Sequence, residues 1–199
     1  MAIRKLQPDY IHSIVSPKPK ARIYKRFLEG FQTEYTIFLT HINGINNNND
    51  LNKYATLMLT RLMFLYFLQR KNFLDNDSNY LSNHLKMFQN SRDTPNLNFY
   101  HDFLLILFFE GLSNPILSSE LSAIIGNVPF LNIDLFKKNQ IESNYSSIQI
   151  SDAAFEPVFT FFDTSSWQLS GHICHNEIYI TPDIFGYIFE KRINQKQMG

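Results

Sequence analysis

Apolar residues recur at helical spacing through most of this chain, and that pattern is the first guide to its structure. From Lys20 to about Ile42, the residues Ile23, Phe27, Leu28, Phe31, Tyr35, Phe38 and Leu39 return every three or four positions. This predicts an amphipathic helix with Gly44 as its stop. Tyr54 to Leu74 is the strongest helical stretch. Leu57, Met58, Leu62, Leu65 and Phe67 cannot share one stripe, so that helix is expected to be buried on most sides. Asp75 to Ser78 read as a turn, and a shorter helix is expected from Asn79 to Gln89. Pro95 marks 90–97 as a loop. Asn98 to Leu112 is a second dense apolar helix, ended by Gly111. Asn114 and Pro115 then supply an N-cap and a first-position proline for a short helix that Gly126 closes.

Beyond Gly126 the helical period fades. A strand is allowed through Ser147 to Ile150, and Ser151 is placed to cap a helix over Asp152 to Phe162, whose start Pro157 can delay. Trp167 to Ile180 is irregular, with room for one hairpin. Thr181, Pro182 and Asp183 open a helix that runs to the chain end. At the other end, Pro8, Pro17 and Pro19 predict an extended arm over residues 1–19. The chain therefore reads as mainly α, a single helical bundle-like domain with a minor extended or β part around residues 128–180. Its expected parts are a basic arm (1–19), a helical core (20–126), a loop-rich part (127–180) and a terminal helix (181–199). Two nearly all-apolar helices need cover on every side. The pattern leaves open whether the chain's own amphipathic helices supply it or neighbouring parts of a larger protein do.

A length of 199 residues at 44% hydrophobic content is enough for one well-formed core. The single cysteine, Cys174, excludes an internal disulfide and fits a reducing compartment. The first residues hold no apolar run of signal-peptide length. The longest apolar stretch, Tyr54 to Leu68, carries Arg61 and falls short of the roughly 20 residues a membrane span needs. A soluble, cytoplasmic protein without a membrane partner is expected. The run Asn46 to Asn49 reads as a polar surface loop.

Charge changes the picture at the ends. The total is 18 basic against 18 acidic residues, yet residues 1–26 hold Arg4, Lys5, Lys18, Lys20, Arg22, Lys25 and Arg26 against Asp9 alone. The middle, 27–189, holds 8 basic and 16 acidic residues. Basic ends can meet nucleic-acid phosphates by counterion release. Lys18, Lys20, Arg22, Lys25 and Arg26 are the candidate contacts, and a solvated, partnerless face is the alternative.

Catalytic chemistry is missing from the sequence. No acidic residue is followed two places later by Lys, as a Mg²⁺-dependent nuclease would use. There is no phosphate-binding loop, no G-x-G-x-x-G and no G-x-S-x-G. The Asn-Pro-Pro-Tyr or Asp-Pro-Pro-Tyr of an amino-methyltransferase does not occur. His172, Cys174 and His175 cluster in GHICH, 171–175, but no second cluster completes a zinc set, so a loop with ordinary side chains competes with a metal or Cys–His site. His101 and Asp102, being adjacent on a helix, point in different directions and read as solvent-edge residues. No catalytic, cofactor-binding or metal site is expected in this chain.

Five stretches, in order, resemble the region upstream of the catalytic domain in type IIG restriction–modification enzymes and related phage-defence methyltransferases. They are TRLMFLYFLQRKNFL (Thr60 to Leu74), NFYHDFLLILFFEGLS (Asn98 to Ser113), GNVPFLNIDLF (Gly126 to Phe136), IQISDAAFEPVFTFF (Ile148 to Phe162) and ITPDIFGYIFEKRINQKQMG (Ile180 to Gly199). In that family the last helix leads into G-A-Y-Y-T-P, which helps hold S-adenosylmethionine, and this sequence reaches only Gly199. Ile133 and Asp134 also replace two glycines of the family's L-N-G-G-L-F, which implies less need for positive φ there. The resemblance implies a non-catalytic helical connector within an adenine-specific, S-adenosylmethionine-dependent DNA methyltransferase. Its expected partners are the methyltransferase domain of the same polypeptide and, through the whole protein, DNA. The rival expectation is a standalone helical interaction or regulatory protein.

Overall fold

The computed structural model describes residues 17–90, 97–167 and 179–180; for 17–24, Ser166 and 179–180 only the backbone is described. The architecture is mainly α, as the pattern predicts. Helix α1 spans Pro17–Thr40 and α2 spans Asn48–Gln69. Between them lies a short strand, β1, Ile42–Asn43. The Tyr35 hydroxyl donates to the side chain of Asn52 at 2.7 Å, which ties α1 to the start of α2. The two helices thus form a hairpin, so the start of α1 lies towards the end of α2.

Each helix starts for a local reason. Helix α1 begins at Pro17, inside the stretch expected to be extended. Pro17 and Pro19 both fall in its first turn, where a missing N–H costs nothing and the fixed φ suits a helix. In α2, Asn47 is the N-cap, its side chain accepting from the backbone N–H of Asn49 and Asp50. The exposed Asn run is therefore half loop and half helix start, Asn46 and Asn47 preceding the helix and Asn48 and Asn49 opening it, and Asp50 in the first turn favours the helix dipole. Gly44 does not stop α1, which already ends at Thr40. It has φ of +86° beside β1, and a Cβ there would lie 2.2 Å from the Ser147 carbonyl oxygen.

Helix α2 is the centre of the core. Tyr54, Met58, Leu59, Leu62, Met63, Leu65 and Tyr66 are all buried, as an all-round apolar helix requires. Phe27, Phe31, Tyr35 and Phe38 line the α1 face that packs into the same cluster. The cover for α2 comes from the chain itself. A tight turn follows α2, with Asn72, Asp75 and Asn76 at φ of 59°, 49° and 54°. It is held by Asp75, whose backbone N–H donates to the Asn127 carbonyl at 2.7 Å and whose carboxylate accepts from the Asn127 N–H at 3.0 Å.

Helix α3 spans Tyr80–Asn90, one residue later than expected at each end. Helix α4 covers 99–111 and contains two π-helical turns, Tyr100–Leu104 and Leu107–Gly111. Wider i→i+5 bonds close them, from the N–H of Leu105 to Tyr100 and of Leu112 to Leu107. Helix α5 is Ser119–Ile125, capped by Ser118 and closed by Gly126 at φ of +68°. Asn114 and Pro115 therefore do not open it: the Asn114 side chain takes the Ile116 N–H at 3.2 Å in a local turn instead.

The stretch 127–150 hides structure that the apolar period misses. A 3-10 turn covers Asp134–Phe136, and α6 covers Gln140–Asn144. Asn139 and Glu142 cap α6 reciprocally, a signal of cap chemistry rather than of hydrophobicity. Ile133 keeps a φ of −121°, in keeping with the loss of glycine there. Strand β2, Gln149–Ile150, pairs antiparallel with β1, Ile42 opposite Ile150. Ser151 caps a 3-10 turn, Asp152–Ala154, that runs into α7, Phe155–Asp163. Pro157 sits harmlessly in the first turn of α7. Helix α7 packs on α1 so closely that a Cβ on Gly30 would meet the Phe161 ring at 2.4 Å. Strand β3, Ser166–Trp167, pairs with β4, Tyr179–Ile180. The pairing is parallel, so these two strands are not the arms of a hairpin. GHICH at 171–175 and the helix expected over 181–199 lie outside the described residues.

Candidate functional site

Two polar constellations grow from α2, one sealed and one open. The sealed one centres on Arg61, whose side chain has no exposed surface. Its Nε donates to the Leu135 carbonyl at 2.7 Å and Nη2 to the Lys137 carbonyl at 2.9 Å. Nη1 and Nη2 meet the two Glu142 carboxylate oxygens at 2.5 and 3.2 Å. The guanidinium also lies over the Phe108 and Phe109 rings, 5.0 and 5.4 Å from their centroids. Glu142 is held as well by its α6 capping role. A buried charge tolerated this way needs nearly all its donors matched, and Arg61 achieves that by tying 135–142 to the core. Beside it the hydroxyls of Tyr54 and Tyr100 are 2.5 Å apart. Burial pushes the Tyr100 phenol up to about 12, and burial with the Tyr100 neighbour raises Tyr54 as well. Both rings stay neutral and locked. A sealed group of this kind is scaffold, since no substrate reaches it.

The open constellation lies at the end of α2. Arg70 and Tyr66 both donate to the Asp163 carboxylate at the end of α7. The Arg70 guanidinium stacks 5.2 Å from the Tyr66 ring centroid. Arg70 is 31% exposed and Asp163 50% exposed, so solvent reaches this pair. Trp167 closes the apolar side of the group, 5.3 Å from the Tyr66 ring and 6.4 Å from Phe27 of α1. Its indole N–H is satisfied by the Phe162 carbonyl at 2.9 Å. Burial raises the Tyr66 phenol, and the bond to Asp163 adds to the rise.

The nucleic-acid candidates fall at this same end. Lys25 and Arg26 are exposed on α1, next to Phe27. Lys25 has Glu29 at 3.9 Å, a solvated pair of little energetic weight. Lys18, Lys20 and Arg22 lie on α1 by backbone, and their side chains are outside the described residues. His101 and Asp102 are half-buried rather than at the solvent edge: the His101 Nε2 lies 2.9 Å from the Ile148 carbonyl, and Asp102 accepts the Asn98 N–H at 2.7 Å. His101 pins α4 to the segment before β2, while Asp102 caps the start of α4. Among the described residues no three His, Cys, Asp or Glu side chains converge to hold a metal.

Sequence reasoning named the α1 cations but missed Arg70 and Asp163, because their proximity is a tertiary fact across 93 residues. It noted Arg61 as a charge inside an apolar helix, and that oddity was the available signal for a buried partner.

A mainly helical unit with a sealed scaffold and one charged end is the class of structure these residues define. No family model matches the chain, and no solved structure matches it. It is similar to part of a predicted type II restriction enzyme and methyltransferase of Methanocaldococcus jannaschii, at 29% identity over 151 residues. That match covers 73% of this chain and 12% of the other protein, so this chain spans only a small part of that relative. The likeness associates the chain with restriction–modification proteins. No helix among the described residues is long and apolar enough to cross a membrane.

Proposed function

We propose that this chain is the non-catalytic helical connector of a type IIG-like restriction–modification DNA methyltransferase. The observation that carries the reading is the match of most of this chain to a short part of a much longer restriction enzyme and methyltransferase. The connector packs against the methyltransferase domain of the same polypeptide and positions it on DNA. Lys18, Lys20, Arg22, Lys25 and Arg26 supply phosphate contacts in this reading. The whole protein would transfer a methyl group from S-adenosylmethionine to the amino group of a flipped adenine. The Tyr-Tyr-Thr and Asn-Pro-Pro-Tyr that the family uses for this are not in the sequence, so no step of that chemistry is derived from these residues.

The experiment is a methyl-transfer assay on plasmid DNA with labelled S-adenosylmethionine. It compares this chain alone with the full polypeptide expressed from its natural reading frame. Label on adenine from the full polypeptide and none from the chain alone is the expected result. Tight S-adenosylmethionine binding or methylation by the isolated chain would overturn it.

A second reading, a standalone helical interaction protein, is favoured by one observation. The apolar helices are covered by the chain's own elements, with Tyr54, Leu62, Phe103 and Phe108 fully buried. A stable monomer whose natural frame encodes nothing further would support that reading.

A further inference from the structure

We propose that Arg70, with Lys71 beside it, is a phosphate-contacting residue for nucleic acid, and that Asp163 is its built-in competitor. The inference rests on the nucleic-acid part of the connector reading and extends it to residues at the end of a different helix. Arg70 occupies the last turn-out of α2, and the hairpin of α1 and α2 brings that end towards the start of α1. A chain of ring contacts makes the link concrete: Arg70 lies over Tyr66, Tyr66 meets Trp167, and Trp167 meets Phe27, the neighbour of Arg26. The positive charges of two helices therefore gather at one end of the molecule. Glu29 and Asp163 pair with cations there, and Asp75 and Asp77 lie in the tight turn that follows Arg70.

The geometry of Arg70 is what distinguishes it from a merely structural arginine. Its central guanidinium carbon lies over the Tyr66 ring, 5.2 Å from the centroid, a contact that restrains the side chain and so reduces the ordering entropy a ligand would have to overcome. Only Nη2 bonds to the carboxylate; the neighbouring Nε is buried with no hydrogen-bond partner. Nε has no accessible surface and Nη2 is engaged by Asp163, so the Nε–Nη2 edge that would grip two oxygens at once opens to phosphate only once Asp163 turns away. A phosphate offers two oxygens to such an edge, where the Asp163 carboxylate offers one here. Asp163 is half-exposed and can turn to solvent when phosphate replaces it. Arg61, inside α2, has no such freedom, because Nε, Nη1 and Nη2 are all engaged internally.

The test is fluorescence-anisotropy binding of a short duplex DNA to the full 199-residue chain across a salt series. Arg70→Gln is expected to weaken binding several-fold at low salt and to reduce the log–log salt slope by about 1. Asp163→Asn is expected to tighten binding. A purely structural ion pair would make both variants bind equally or worse, so tightening by Asp163→Asn separates the two roles. Lys25→Gln with Arg26→Gln serves as the control for the α1 contacts. If that pair weakens binding while Arg70→Gln and Asp163→Asn leave it unchanged, the Arg70 proposal fails and the α1 contacts stand. If the wild-type chain shows no salt-dependent binding, the phosphate-contact reading fails, and the Arg70 proposal with it. Melting temperatures of all variants, measured alongside, identify any that fail to fold.

Discussion

Arg61, inside α2, and Arg70, the residue that caps its end, face opposite fates. Arg61 is sealed, with two backbone carbonyls, a carboxylate and two aromatic rings around it. Arg70 is partly open, with one half-exposed carboxylate, the Tyr66 hydroxyl at 3.3 Å and the Tyr66 ring. The same residue type is scaffold in one place and available surface in the other. The difference lies in solvent access and in the share of donors already used. A buried guanidinium cannot lose a partner cheaply, whereas an exposed one exchanges partners at little cost.

The largest effect should come from removing one side of the sealed pair. Arg61→Ala leaves Glu142 buried without its cation and is expected to cost about 3–5 kcal/mol in chemical denaturation. The double replacement Arg61→Met with Glu142→Leu should recover most of that loss, because no unpaired charge remains. If the double variant is as unstable as Arg61→Ala, then hydrogen bonds to Leu135 and Lys137, not the ion pair, hold 135–142 in place.

Alkaline pH probes the same sealed region without mutation. Below the ordinary tyrosine value near 10, Tyr100 carries its proton in both folded and unfolded chains. Above it, the unfolded chain releases the proton first, since the folded value is about 12. Stability should therefore fall as pH rises from about 10 to 12, by up to roughly 2–3 kcal/mol from this residue. Tyrosinate absorbance is expected to appear for the buried rings together with unfolding. Early, non-cooperative ionisation of all tyrosines would show that the Tyr54–Tyr100 site is open.

A smaller effect calibrates the first two. Asn47→Ala removes the cap of α2 and should cost about 1 kcal/mol, with the core otherwise intact. The smallest effect is expected for Arg70→Gln, below about 1 kcal/mol because its partner is half in water. A loss as large as that of Arg61→Ala would erase the distinction between the two arginines.

Much of the helical scaffold was legible because burial leaves a period in the sequence. Phe27, Phe31, Tyr35 and Phe38 mark the inward face of α1, and the stripe-free α2 is buried as an all-round apolar helix must be. What the period missed was set by side-chain chemistry instead. The Asn47 cap turns a polar run into a helix start, and the Asn139–Glu142 box makes a short helix where no apolar repeat exists. Asn114 and Pro115 misled for the same reason in reverse, since the Asn114 side chain bonds a local turn. The π turns of α4 depend on i→i+5 closure, which a 3.6-residue period does not report. The charged end was half legible. Clustered Lys and Arg on α1 can be counted along the chain, but the Arg70–Asp163 pair exists only once α2 and α7 have packed.

The connector reading proposes that these helices serve a larger DNA methyltransferase rather than act alone. The most direct measurement is the nucleotide sequence of the natural locus across both ends of this reading frame. The connector account predicts that the frame continues past Gly199 into a Tyr-Tyr-Thr segment and, later, Asn-Pro-Pro-Tyr. A stop codon directly after Gly199 would contradict it and leave a separate interaction protein in its place.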